Sequence, residues 1–556
     1  VDWRAPVAEP FYRATGRDPM GLARRRHFVV EGRSLLGIED ELFGDGHLGL
    51  GQDDGLGEST GVVTAGDTGL RGYSTLLASI ERGRTGTLGD IVATIQGEQD
   101  EIIRSPQSGV LVVQGGPGTG KTVVALHRAA YLLYTHRFPL DGQGLLVIGP
   151  NRLFLGYIEQ VLPSLGEAGV HMRVLADLVG SVRVRGRDEL ETARIKGDLR
   201  MVNVLRRAVK DRQRPLRSDL RVGFGSRILR LSVNQSRYIV EQAQDRSTYH
   251  NSNRRFVEGR LFETLVDNHA DDLSLKEVRE AIRKDPLVRE ALDWMWPLLT
   301  PAELLHDLSG SKALLKSAGR RLEPAARAAL YRDRAEVGML AHRIWTADDV
   351  PLLDEAREIL GRMPGESADD DPRTYGHIVV DEAQDLSPMQ LRMLARRSLT
   401  GSMTVVGDIA QSTGAWAHDS WDEILEHLPN RKGSSGRELT VGYRIPAPLM
   451  EVAAEVLPLA APDLMPPVSV RGDGGAPVRV SVSSFSELME AMVAASRLEL
   501  TRTDGGNAAL IVPESLADAV EAALTAAGVE AGRAPQDSLD SRLTIVPVGL
   551  VKGLEV

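Results

Sequence analysis

The chemistry most visible in the chain lies in eight residues, Gly115-Gly116-Pro117-Gly118-Thr119-Gly120-Lys121-Thr122. Glycines at this density let successive backbone N–H groups turn toward one anion, and a helix opening at Lys121 adds the partial positive charge of its N-terminus. In that setting Lys121 reaches the β- and γ-phosphates of a nucleoside triphosphate and the Thr122 hydroxyl ligates Mg²⁺. A second cluster, Ile378-Val379-Val380-Asp381-Glu382-Ala383-Gln384-Asp385, supplies what the first lacks. Asp381, at the end of an apolar strand, can hold the water shell of Mg²⁺, and Glu382 can orient or deprotonate an attacking water.

Both clusters need elements that aim them. The all-apolar run Gly109–Gln114 precedes the glycine turn, and an apolar helix from Thr122 to about Tyr134 follows it. That order of strand, phosphate loop and helix opens a doubly wound α/β domain. Leu145–Ile148, Tyr375–Val380 and Met403–Val406 read as further buried strands of the same sheet. Between Val170 and Arg373 the pattern turns to charged, Arg-rich helical segments with no strand pair of the parallel kind. The expected fold class is therefore α/β, two parallel-sheet domains of the P-loop type with a large, mainly helical insertion in the first. The expected boundaries are 1–72 for an N-terminal segment and Gly-rich linker, 73–169 and 374–437 for the first domain, 170–373 for the insertion, and 438–556 for a truncated second domain. Strands are expected in that second domain at Val478–Val482, Ala508–Val512 and Leu543–Val546, and a helix at Asp90–Arg104. Phe43–Gly72, rich in Gly and Asp, reads as a loop.

Composition narrows the function. The 556 residues are 42% apolar and 26% charged, in the range of soluble globular chains, with no apolar run of the length a spanning helix needs. The absence of cysteine removes disulfides, thiolate zinc sites, iron–sulfur clusters and cysteine nucleophiles, and makes the cytoplasm the default compartment. With 66 basic against 77 acidic residues the net charge is -11, so contact with nucleic acid requires a local basic channel. Asp369-Asp370-Asp371 reads as a solvated loop, Arg24-Arg25-Arg26 as a solvated strand end, and Trp294 and Trp296 as core of the helical insertion. The chain opens on Val1 within strand-like VDWRAPV and stops at Val556 just after a motif that normally lies inside a domain, so further sequence is expected on both sides.

The phosphate loop and the DEAQD form of the acidic cluster resemble the superfamily 1 helicase-like ATPases, the group of UvrD and Rep, whose domains are RecA-like. The resemblance implies further roles in chain order. Gln99 would read adenine, Gln411 in Gly407-Asp408-Ile409-Ala410-Gln411 would sense the γ-phosphate, Tyr443 in Leu439–Arg444 would stack on adenine, Arg444 would contact the γ-phosphate, and Glu555 in Lys552–Glu555 would hold the ribose. ATP and Mg²⁺ are the implied cofactors. Trp416 keeps the place of a base-stacking tryptophan, while Gly414 and Ala417 stand where an aromatic and an arginine are usual, which weakens a single-strand track.

Longer strings, Val1–Pro6, Pro10–Thr15, Asp90–Gln99, Val123–Arg128 and Trp296–Pro301, resemble the HelD family of RNA-polymerase-binding factors. This second resemblance implies an ATPase that docks as a monomer on core bacterial RNA polymerase, opens its clamp and displaces nucleic acid to recycle stalled enzyme. Its N-terminal coiled coil would precede Val1, and its acidic balance would suit competition with nucleic acid. A superfamily 1 single-stranded DNA translocase of repair or replication is the enzymatic alternative. A polymerase-docking protein that uses ATP as a conformational clamp is the third.

Overall fold

A computed structural model describes residues 5–8, 10–11, 20–31, 34–44, 47–48, 97–136, 140, 142–152, 155, 170–180, 182–246, 249–269, 273–333, 340, 343–367, 371–412, 414–429, 432–469, 471, 475–503, 506–534 and 541–551. They form a mixed α/β chain with several parallel sheets and a large helical region. At the N-terminus β1 (Arg24–Glu31), β2 (Ser34–Gly44) and β3 (His47–Leu48) make a small antiparallel sheet. Next come α1 (Gly97–Arg104), β4 (Val110–Gly115), α2 (Lys121–Thr135), β5 (Leu145–Ile148) and β6 (Val170–Arg173). The helical region holds β7 (Val184–Gly186), α3 (Leu190–Gly197), α4 (Arg200–Lys210), β8 (Leu220–Phe224), β9 (Arg227–Leu231), α5 (Val233–Arg246), α6 (His250–Asp267), α7 (Leu275–Ile282) and α8 (Pro286–Met295). It continues with α9 (Pro301–Ser309), α10 (Lys312–Ala318), α11 (Pro324–Leu330), β10 (Trp345–Thr346) and α12 (Val350–Leu360).

The chain then returns to the first sheet with β11 (His377–Val380), α13 (Pro388–Arg397), β12 (Met403–Gly407), α14 (Trp421–Leu425) and β13 (Ser434–Leu439). It ends in β14 (Val441–Gly442), α15 (Ala447–Ala460), β15 (Val468–Ser469), α16 (Phe485–Arg502), β16 (Ala508–Val512), α17 (Ala517–Ala526), β17 (Gly532–Arg533) and β18 (Leu543–Pro547).

The first sheet has the order β13-β4-β12-β11-β5-β6, with every pair parallel. Its strands are apolar on both sides because both faces are covered. Leu111, Val113, Val147, Val379 and Val406 pack into one core with α2, and Val112, Leu146, Ile148, Val380 and Val405 into another with α13 and α14. The period-two alternation along each strand thus feeds two cores. The helix starts are written locally: Ser387 caps α13 in a reciprocal box with Gln390, Thr300 does the same for α9 with Glu303, and a proline fills the first turn of each. A three-stranded parallel sheet, β16-β18-β17, lies further along the chain with its own small core.

Several expectations are corrected. Val170–Arg173 is an edge strand of the first sheet, paired with β5, although its polar His171 and Arg173 disguise it in sequence. The helical region contains strands after all, the parallel pair β7·β10 and the antiparallel hairpin β8·β9, each too short or too charged to read as buried sheet. The first sheet runs through Leu439, which pairs with Gly115. Val478–Val482 is not a strand: its apolar–polar alternation fits one, but no neighbour pairs with it among the described residues, and Val478 stays 81% exposed. Phe43 and Gly44 pair with Leu48 and His47, the Asp-Gly dipeptide between them being a hairpin signal that composition hid. Pro6–Ala8 is a short 3₁₀ turn rather than strand. The part of the expected Asp90–Arg104 helix before Gly97 lies outside the described residues.

Candidate active site

The phosphate loop leaves β4 and enters α2. Gly118 and Gly120 adopt φ of 74° and 84°, the left-handed region that side chains rarely enter, so the sharp turn depends on glycine there. The Thr119 hydroxyl donates to the Gly116 carbonyl at 2.8 Å and the Lys121 ammonium to the same oxygen at 3.2 Å, which holds the lysine over its own loop. Gln99, buried on α1, donates from Nε2 to the Thr119 carbonyl at 3.4 Å. The expected adenine-reading glutamine therefore braces the loop.

Asp381 comes to the loop from the end of β11. Its Oδ2 accepts the Thr122 hydroxyl at 2.7 Å, across 259 residues of sequence, and its Oδ1 accepts the Glu382 N–H at 2.9 Å. Burial first, then the neighbouring Glu382 carboxylate, pushes the Asp381 carboxyl up to about 7, against the opposing Thr122 hydrogen bond and Lys121 charge. A hydroxyl and a carboxylate oxygen this close are hard oxygen donors of the kind Mg²⁺ takes while keeping several waters, so the residues fit that ion. Among the described residues no group of three or more His, Cys, Asp or Glu is placed to bind a metal.

Glu382 is one of two non-glycine residues with positive φ among the described residues, at 50°. Such backbone strain persists only where surrounding contacts over-determine it. Here Gln384 supplies them: its Nε2 donates to Glu382 Oε2 at 2.6 Å, its Oε1 accepts the Asp408 N–H at 3.2 Å, and its carbonyl accepts the Ser412 hydroxyl at 2.9 Å. Buried Gln114 on β4 adds a second brace, donating to Asp408 Oδ1 at 2.8 Å and accepting from Trp421 Nε1 at 2.9 Å. Neither glutamine was singled out by sequence, since a lone amide in a strand or after an acidic pair has no spacing signature. Gln411 follows Asp408 in a 3₁₀ turn, and with Gly116 and Pro117 it lines one wall of a cavity of about 280 Å³ whose other wall includes Met450 and Leu457 of α15.

The segment between β13 and α15 closes over the loop. The Tyr443 N–H donates to the Gly118 carbonyl at 3.1 Å, and a Cβ on Gly120 would fall on the Tyr443 hydroxyl. A Cβ on Gly118 would lie 3.3 Å from that of Arg444. Glu98 fastens this segment from α1, accepting the Thr440 hydroxyl at 2.9 Å, a contact that sequence reading missed. Lys121, Thr122, Asp381, Glu382, Gln99, Gln411, Tyr443 and Arg444 thus gather around Gly115–Thr122, whereas Lys552–Glu555 lies outside the described residues.

Trp416 sits apart, against the helical region. A Cβ on Gly197 at the end of α3 would fall on its indole, Arg194 donates to the Ala415 carbonyl at 2.8 Å, and the Gly414 N–H donates to Asp385 Oδ1 at 2.9 Å. Of the two tryptophans expected in the helical core, Trp296 is fully buried and gives its indole N–H to the His250 carbonyl at 2.7 Å. Trp294 is only partly buried.

The UvrD/REP helicase N-terminal domain model matches residues 223–427, and the model of the N-terminal domain of DNA helicase IV HelD matches residues 1–55. A superfamily 1 helicase domain of UvrD/Rep type and a HelD-like N-terminal domain are present. The first match includes Asp381, Glu382 and Gln411 and begins after the phosphate loop. No curated protein matches the chain. No helix among the described residues is long and apolar enough to cross a membrane.

Proposed function

We propose that the protein is an ATP-hydrolysing, helicase-like factor whose two parallel-sheet domains are RecA-like and which acts on bacterial RNA polymerase. The observation that supports the ATPase reading is the Thr122–Asp381 hydrogen bond of 2.7 Å, because it joins the glycine-rich loop to the acidic motif that carries the strained Glu382. Thr122 and Asp381 would hold Mg²⁺ through oxygen and water, Lys121 and the loop N–H groups would hold the phosphates, and Glu382, held by Gln384, would orient water. ATP would supply the γ-phosphate, and Gln411 and Arg444 would be the residues that respond to it. Tyr443, hydrogen-bonded to Gly118, and the adjacent Arg444 would pass such a response into the chain leading to the second sheet.

The polymerase assignment rests on the HelD-like N-terminal domain and on Trp416. With its edge against Gly197, and with Gly414 and Ala417 beside it, this tryptophan offers a poor platform for translocation along single strands. Pull-down with core RNA polymerase, alongside ATPase assays with and without single-stranded DNA, tests both halves. The reading expects polymerase retention and weak stimulation by DNA. Strong DNA stimulation with strand separation and no polymerase binding would replace it with the translocase.

A further inference from the structure

The chain's acidity is not shared by all its parts. Residues 200–255 carry fourteen Lys and Arg against four Asp and Glu, a net of +10, which leaves -21 for the rest of the chain. This excess gathers on the β8·β9 ribbon and the chain leading into it. Leu220, Val222, Leu229 and Leu231 point inward and are buried. Outward, Arg221 and Arg230 are register partners across the two strands, and both are exposed. Like charges directly opposite one another destabilise a strand pair, so ribbon stability does not account for this placement. Arg227 adds an exposed cation at the two-residue Gly225-Ser226 turn. Arg230 also donates to the Asp219 carboxylate and stays exposed.

The approach to β8 continues the pattern. Arg214 and Arg217 cover the ring of Trp294 with guanidinium carbons 3.7 and 3.6 Å from its centroid. Burial and the nearby Arg212 and Arg217 charges lower the pKa of Arg214. With the tryptophan faces occupied, Tyr238 is the exposed aromatic left on the adjoining helix α5, so unstacked bases find little to stack on. Arginine forks instead suit phosphate oxygens, and a two-stranded ribbon is narrow enough for the major groove of a duplex.

We propose that the outer face of the β8·β9 ribbon, with Arg221, Arg227 and Arg230, is a binding face for the phosphate backbone of duplex DNA. This goes beyond the nucleotide site and does not depend on it, so binding is measured without nucleotide, and absent ATPase activity would leave it standing. The experiment is fluorescence anisotropy of a short labelled DNA duplex against the full chain over a range of KCl concentrations. The test variant is Arg221→Gln/Arg227→Gln/Arg230→Gln, and the charge-matched control on α7, α8 and the turn between them is Lys276→Gln/Lys284→Gln/Arg289→Gln. The ribbon variant is expected to bind about tenfold or more weakly at low salt and to lower the log–log salt slope by roughly 2 to 3, since each arginine removed leaves one phosphate with its counterion. The control should stay within about twofold.

Absence of duplex binding by the wild-type chain, or equal weakening by both triple variants, would overturn the proposal. So would ribbon-dependent binding of single-stranded DNA or polyglutamate in preference to duplex. Should the triple variant melt early, Arg227→Gln alone, at the turn, must still lower the slope by about 1.

Discussion

At the level of single residues, the proposed hydrolysis rests on the Glu382 carboxylate. Glu382→Gln should slow single-turnover hydrolysis by about 10²–10⁴-fold with nucleotide affinity within a fewfold of wild type, read by rapid quench and calorimetry. Unchanged turnover would remove Glu382 from its role. Gln384→Ala should lower kcat about tenfold at constant KM, because it frees Glu382 without touching the phosphates. A rise in KM alone would mean that Gln384 serves binding. Lys121, Thr122, Asp381 and Glu382 were legible from sequence because their spacing to glycines and apolar strands is itself the signal. Gln114, Gln384 and Glu98 were not, since each acts through a partner hundreds of positions away or through one side-chain amide.

Between elements, the contact of α3 with the Gly414–Trp416 turn links the helical region to the acidic motif. Overpacking there should cost about 1–3 kcal/mol in Gly197→Ala, read by urea unfolding. Trp416→Ala should relieve part of that cost, giving a coupling of about 0.5–3 kcal/mol in a double-mutant cycle. Additivity of the two changes would show that they do not press on each other.

In the last turn of α3, Lys196 is buried between Asp188 and Asp349, at 2.6 and 2.7 Å. Asp348 is pushed up to about 6, first by burial and then by Asp188. A carboxyl whose folded pKa is raised takes up a proton on folding. Its favourable contribution is therefore full below the ordinary aspartate value and is lost as pH rises through about 6. Between pH 4 and 7 wild type should lose on the order of 2 kcal/mol relative to Asp348→Asn, measured by denaturation at both values. Parallel pH profiles would exclude Asp348. The helical region was legible as helical, but its hairpin and its β7·β10 pair were not, because charged outer faces break the apolar runs by which buried strands are recognised.

For the whole molecule, a ligand that binds only the folded chain raises its stability by mass action. Mg²⁺ and nucleotide at about a hundred times Kd should add about 2.7 kcal/mol, seen as a higher Tm, and Lys121→Ala should lose most of that gain. An equal shift in the variant would place the nucleotide elsewhere. The doubly wound first sheet was legible from four apolar strands and two motifs. The uneven distribution of charge was not, because a net of -11 averages over a strongly basic segment.

Thr440 alone stands between β13, the last strand of the first sheet, and β14, which begins the chain toward the second. One residue contributes two soft torsions, so reorientation that starts at this junction resembles an axle turning more than a tether stretching. The Glu98 carboxylate grips that axle from α1, the helix whose Gln99 braces the phosphate loop, and so bearing and brace are neighbouring side chains.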